Sequence, residues 1–209
     1  MIALGDAPGA PARVVLASQS PRRRDLLALV GIAHEVRPAD VDESVRPGEA
    51  PDAYVRRLAV AKARAVAGAL GDPGAAVLAA DTTVVIDGEI LGKPADASEA
   101  RAMVRRLSGR THEVYTGMAA VRGERAADAV ERVRVTFRAL ADDEVAAYVA
   151  TGEPMDKAGA YGIQGYGATV VERIEGDYFA VMGLSLVRAT ALLAEVGVTY
   201  AFAGGARLR

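Results

Sequence analysis

The stretch Ala75 to Ile86, AAVLAADTTVVI, constrains the chain more than any other. Both flanks of Asp81 are continuous apolar or β-branched sequence, the pattern of a strand buried on both faces. An unpaired carboxylate is costly in such a strand, so Asp81 must be partnered, coordinate a cation, or open onto a cleft. A structural aspartate bonded to backbone amides is the plainer alternative. Asp87 and Gly88 then make a tight turn, and Glu89 to Leu91 starts back as a hairpin. Lys93 follows at its exit, held between a glycine and a proline.

A second strand is expected at Val14 to Ala17, running into a helix through a turn that carries three arginines. Ser20 reads as its N-cap, Pro21 as its first residue and Gly31 as its stop, with Leu26, Leu27, Leu29 and Val30 on the apolar side. Arg22, Arg23 and Arg24 sit where the helix end is already positive, which costs stability unless an anion is there. Backbone amides and guanidinium forks together suit a phosphate-bearing ligand, although a single arginine so placed would simply face water.

The rest follows from periodicity and punctuation. Ala33 to Pro38 reads as a short strand with His34 and Glu35, and the acidic stretch ADVDESVRPGEAP reads as a loop. Pro51 to Leu70 is a long amphipathic helix, with Lys62 one turn beyond Leu58 on nearly the apolar side. Ala97 to Leu107 and Asp142 to Ala150 are helices, His112 to Val121 is a strand, and a further strand ends near Phe137. His112, without acidic or histidine neighbours at ligand spacing, reads as structural. Asp156 to Gly167, DKAGAYGIQGYG, carries too many glycines for a regular element; it lets backbone approach a ligand or another segment closely. Thr169 to Ile174 and Tyr178 to Val181 read as a closing hairpin, and Leu184 to Val196 as the last helix.

Composition narrows the function. At 209 residues and 51% apolar, the chain suits one sizeable domain or two small lobes. The absence of cysteine removes disulfides and thiolate metal sites and fits a cytoplasmic location. A formal charge of -2 argues against general nucleic-acid affinity, and no apolar run is long enough to span a membrane. Only Lys62, Lys93 and Lys157 are lysine among the 25 basic residues. The unusual polar residues form a set: Ser18, Arg22, Arg23, Lys62, Lys93, Lys157, Glu35, Asp81 and Gln164. Cations, two acids able to hold a divalent metal, and one amide are the parts needed to bind a nucleoside triphosphate.

The segments SQSPRRRDLL, ADTTVVIDGEILGKP, LSGRTHEVYTG and DKAGAYGIQG, in this order and spacing, resemble the Maf family of nucleoside triphosphate pyrophosphatases. The last resembles the branch acting on dTTP and UTP, as opposed to the one preferring 7-methyl-GTP. The resemblance implies an α/β fold with an elongated mixed β-sheet flanked by helices and two lobes with a central cleft, similar to inosine triphosphate pyrophosphatases. It places a single catalytic domain over residues 14–197, between a flexible N-terminal extension, 1–13, and a C-terminal tail, 198–209.

Carried over by position, Asp81 matches the family's proton-accepting aspartate, and Arg22, Thr82 and Gln164 match positions tied to substrate choice. Ser18, Arg22, Arg23, Lys62 and Lys93 are then expected on the phosphates. Asp81 and Glu35 are expected on a divalent cation, Mg2+ or Mn2+, that acidifies the attacking water. Whether Asp81 takes the proton, holds the metal or does both is left open by the sequence. The Gln164 amide can accept from N3–H of thymine or uracil while donating to a neighbouring carbonyl. The implied partners are the nucleotide and a second copy of the chain, as a homodimer, without nucleic acid or membrane. A nucleotide-sensing regulator of division or septum formation that does not hydrolyse is the alternative of another class, and Asp81 speaks against it.

Overall fold

Nearly every apolar run of the sequence becomes an element. In chain order these are β1 (Val14–Leu16), α1 (Pro21–Leu29), β2 (Glu35–Val36), α2 (Pro51–Leu70), β3 (Ala76–Ile86), β4 (Glu89–Leu91), α3 (Ala97–Leu107), β5 (Thr111–Arg122) and β6 (Arg125–Phe137). Then come α4 (Asp142–Ala150), three short 3₁₀ turns, β7 (Val171–Glu175), α5 (Tyr178–Met182), α6 (Leu186–Glu195), β8 (Val198–Ala201) and β9 (Gly205–Leu208). The computed structural model describes residues 9–202 and 205–208.

One sheet runs in the order β2-β1-β3-β5-β6-β7, with β4 paired to β3. β1 is parallel to both β2 and β3, whereas β4 on β3 and β7 on β6 are antiparallel, so the sheet is mixed. The chain is α/β, as expected, and divides into two units: 1–81, 117–130 and 183–209 form the first, 82–116 and 131–182 the second.

In the first unit Ala59, Ala63 and Val66 of α2 pack with Val15, Ala17, Val77, Ala79, Ala119 and Val121. Residues two apart on a strand share a face, so Asp81 continues the side of β3 that bears Val77 and Ala79, the side α2 covers. The helix lies unusually close to the sheet. A Cβ on Gly117 of β5 would sit 2.3 Å from the Val55 carbonyl oxygen, so only glycine lets the backbone of α2 rest there.

The second unit is built on Met103, Val104 and Leu107 of α3, Val145, Tyr148 and Val149 of α4, and Val133, Val135 and Phe137 of β6. His112 is buried in it as a structural residue: its ring meets Phe137 and Tyr161 edge-on, and Nε2 lies 2.8 Å from the Tyr161 hydroxyl.

Some elements differ from the sequence reading. Tyr178 to Val181 is a helix and not a returning strand, because Asp177 Oδ1 accepts from the backbone amides of Phe179 at 2.8 Å and Ala180 at 3.3 Å and caps a turn there. β7 pairs with β6 instead. Leu29, assigned to the apolar side of α1, is exposed, while Leu26 and Leu27 are buried. Within residues 198–209, read as a tail, β8 (198–201) and β9 (205–208) pair antiparallel. The end of the expected N-terminal extension lies along β9: Gly9 N donates to Leu208 O at 2.9 Å and Ala12 N to Ala206 O at 3.0 Å. The first eight residues of that extension lie outside the described residues.

Candidate active site

Lys62 and Asp81 meet because α2 and β3 are packed in register. Val55, Leu58, Ala59, Lys62, Ala63 and Val66 are the buried residues of α2, one stripe at helical spacing. A lysine within that stripe has only the far end of its chain with which to find a polar partner. Its ammonium donates to Asp81 Oδ1 at 2.7 Å, and both residues are buried. Asp81 is therefore partnered by a cation, the first of the three possibilities its strand context allows.

The same ammonium also lies 2.6 Å from Oε1 of Glu43, in the acidic loop between β2 and α2. Two carboxylates from distant parts of the chain thus converge on one nitrogen. The loop is held in place from α2. The Tyr54 hydroxyl donates to the Glu43 carbonyl at 3.0 Å, and Arg57 grips Glu49 with two nitrogens at 2.6 and 2.7 Å. Arg57 keeps the Glu49 carboxyl down at about 2. Burial, then the negative charges of Asp81 and Glu43, push the Tyr54 phenol up to about 12.

The cationic side comes from α1. Pro21 opens this helix as expected, but the Ser20 side chain makes no capping bond. Ser18 Oγ instead accepts from the Ser20 amide at 3.2 Å and from Arg23 Nη1 at 3.0 Å, and Arg23 Nε donates to the Gly183 carbonyl at 2.8 Å. Burial pulls the Arg23 guanidinium below its ordinary value, and the charges of Asp81 and Glu43 act against that while Arg22 adds to it. Ser18, Arg22, Arg23, Lys62 and Asp81 therefore lie together in the first unit.

Glu35 is not among them. Its carboxylate is taken by Arg13, with bonds of 2.9 and 3.0 Å, and Arg13 holds its pKa below the ordinary carboxylate range. In the sheet Glu35 lies opposite Val15, and Val15 opposite Val77. Two strand spacings across and four residues along put Glu35 and Asp81 ~16 Å apart by backbone. The expected pairing of these two on a metal is thus corrected: the acid beside Asp81 is Glu43. Among the described residues no group of three or more histidine, cysteine or acidic side chains is arranged to hold a metal by itself.

The remaining predicted residues lie in the second unit. Thr82 Oγ1 is 2.9 Å from Thr116 Oγ1, which in turn donates to the Ala180 carbonyl at 2.8 Å. With the one proton of Thr116 so used, Thr82 is the donor of the pair and presents lone pairs only. Lys93 and Gln164 are exposed, and among the described residues the side chain of each makes no hydrogen bond or ion pair. Lys157, of the same polar set, donates to the Glu153 carbonyl and to Asp156, each at 2.5 Å, and so braces its own loop.

Residues 13–196 match the family described as Maf-like protein. The chain belongs to the Maf family. It is similar to the dTTP/UTP pyrophosphatase of Moorella thermoacetica, 56% identical over 188 residues, covering 89% of this chain and 96% of the relative. It also resembles those of Anaeromyxobacter dehalogenans, 54% identical over 88% of this chain and 94% of the relative, and Symbiobacterium thermophilum, 51% over 93% and 98%. Among solved structures, the Staphylococcus aureus Ham1 protein shares 16% identity, covering 62% of this chain and 72% of that one, with a TM-score of 0.44. The Maf motifs of the chain thus supply both the arginine helix and the Asp81 strand of the first unit. Glu43 comes from the acidic loop between them.

Proposed function

We propose that this chain is a nucleoside triphosphate pyrophosphatase that hydrolyses dTTP and UTP to the monophosphate and pyrophosphate. The observation that carries it is the meeting of Asp81 and Glu43 on Lys62, beside Arg22 and Arg23, in a Maf family chain more than half identical to dTTP/UTP pyrophosphatases. Hydrolysis at the α phosphorus needs water in line and neutralisation of the phosphate oxygens. Arg22, Arg23, Lys62 and Lys93 supply positive charge on the phosphates, with Ser18 holding Arg23 in place. Asp81 receives the proton of the attacking water at its carboxylate. Gln164 reads the pyrimidine edge, its amide side chain being unspent within the protein, and Thr82 takes part in substrate choice as an acceptor.

The donor set fits a divalent cation. Two carboxylates lie on either side of the Lys62 ammonium, and Mg2+ is commonly held by one or two carboxylates together with substrate phosphates. Asp81 and Glu43 are the residues that would hold it. Such an ion supplies a more acidic water and charge neutralisation when bound. The proposal includes a cytoplasmic enzyme working as a homodimer, and light scattering of the purified protein tests the latter.

Chromatography of products after incubation with Mg2+ and, separately, dTTP, UTP, CTP, GTP and 7-methyl-GTP tests the activity. Monophosphate and pyrophosphate from dTTP and UTP are expected. Turnover of 7-methyl-GTP alone, or binding without turnover of any of the five, would refute it.

A further inference from the structure

Gln164 stands in a stretch whose two ends are tied to one pair of side chains. Before it, the Gly162 amide donates to the Tyr148 hydroxyl at 3.1 Å. After it, the amides of Tyr166 and Gly167 donate to the two oxygens of Glu153 at 2.9 and 2.8 Å. The pair is itself joined, since the Tyr148 hydroxyl donates to Glu153 Oε1 at 2.9 Å. Burial raises the Tyr148 phenol above its ordinary value, which keeps that proton in place.

The proton count is closed. Glu153 accepts three hydrogen bonds and donates none, as an ionised carboxylate must, and Tyr148 spends its single proton on it while accepting from Gly162. The backbone is shaped to fit. Gly165 has a φ of +66°, and a Cβ on it would lie 2.3 Å from Glu153 Oε2; a Cβ on Gly167 would lie 1.9 Å from the Gly162 carbonyl oxygen. Meanwhile the Gln164 side chain is exposed, and it makes no capping bond to the turn it opens. A loop that is bound at both ends and unspent at its centre presents that centre to something else.

We propose that Glu153 and Tyr148 are positioning residues for substrate selectivity: together they clamp the 162–167 loop so that the Gln164 amide is held ready for a pyrimidine edge. The proposal rests on the reading of Gln164 as the residue that recognises the base. The clamp acts on binding and not on the chemical step, because neither residue belongs to the Lys62, Asp81 and Glu43 cluster.

Glu153→Gln is nearly the same size but turns one acceptor oxygen into a donor facing an amide or hydroxyl donor. Tyr148→Phe keeps the ring and removes the link, and serves if the first variant does not fold. Steady-state kinetics with UTP and GTP, together with hydrogen exchange at the Tyr166 and Gly167 amides, read the effect. Glu153→Gln should raise KM for UTP about tenfold with little change in kcat, lower the preference for UTP over GTP, and expose both amides to exchange. Combined with Gln164→Ala, it should add nothing further to the loss of preference. Unchanged UTP preference in both clamp variants, while Gln164→Ala loses it, overturns the clamp alone. Unchanged preference in Gln164→Ala overturns the reading of the base, and the clamp's role in selectivity with it. A fall in kcat at constant KM, or losses that add to those of Gln164→Ala, also overturns it.

Discussion

His112 should make this protein lose stability on mild acidification, as the pH falls below 6.5. Its ring is buried; Nε2 faces the Tyr161 hydroxyl, and Nδ1 is buried with no hydrogen-bond partner among the described residues. A second ring proton would therefore enter an apolar enclosure with no acceptor. Burial accordingly lowers the pKa from 6.5 to about 4. Between these values the unfolded chain takes up a proton that the native protein refuses, so stability falls as pH falls through this window and levels off below it. At about 1.4 kcal/mol for each pH unit, the full gap corresponds to ~3 kcal/mol, of which ~2 kcal/mol is lost between pH 7.5 and pH 5. For a chain of this length that is a drop in Tm of about 4–8 °C. Urea denaturation at pH 7.5, 6.5, 5.5 and 5.0 of the native protein and of His112→Gln, which keeps a polar end near Tyr161 but does not titrate, measures it. Groups common to both proteins cancel in the difference. Stability curves that run parallel over this range would refute the reasoning.

Other outcomes follow from the site and its supports. Asp81→Asn should abolish turnover while nucleotide binding, followed by calorimetry, survives. Glu43→Gln should lower kcat at least 100-fold, whereas Glu35→Gln should leave kcat near its original value; steady-state assays of the two side by side check the correction directly. Lys62→Met leaves Asp81 buried without its cation and should cost ~3 kcal/mol in denaturant titrations. Gly117→Ala forces a methyl group against the Val55 carbonyl, and should cost ~3 kcal/mol or prevent folding, seen as loss of soluble protein. Removal of divalent cations with EDTA should stop turnover, and Mg2+ or Mn2+ should restore it.

The sequence was most readable where local pattern and packing agree. α2 and α3 begin and end where their proline, apolar stripe and glycine or serine boundaries place them, because each stripe matches the face it buries. It was least readable where a single polar contact overrides propensity. Tyr178 to Val181 has the residues of a strand, yet one Asp177 carboxylate, bonding two amides, turns it into helix. The β9 strand lies along residues near the other end of the chain. No local pattern can announce a pairing between such remote segments.

The candidate site divides in the same way. Asp81 and Lys62 were legible because each is a charge in an apolar run, and an apolar run does not carry a charge without a partner. Glu43 was not, since Asp40, Asp42, Glu43 and Glu49 occur together in a loop whose composition treats them alike; only the contacts of Tyr54 and Lys62 single one out. Glu35, expected on the metal from the family resemblance, lies in the edge strand β2, and its carboxylate turns to Arg13. Within the first unit Arg22, Arg23 and Lys62 stand against Asp81 and Glu43, a surplus of one positive charge. A nucleoside triphosphate brings more negative charge than that surplus can offset, and the two carboxylates that would repel it already meet at one point. The divalent cation proposed above, held beside Asp81 and Glu43, would offset both, and this is the physical argument for proposing a metal in a site whose side chains are already rich in cations.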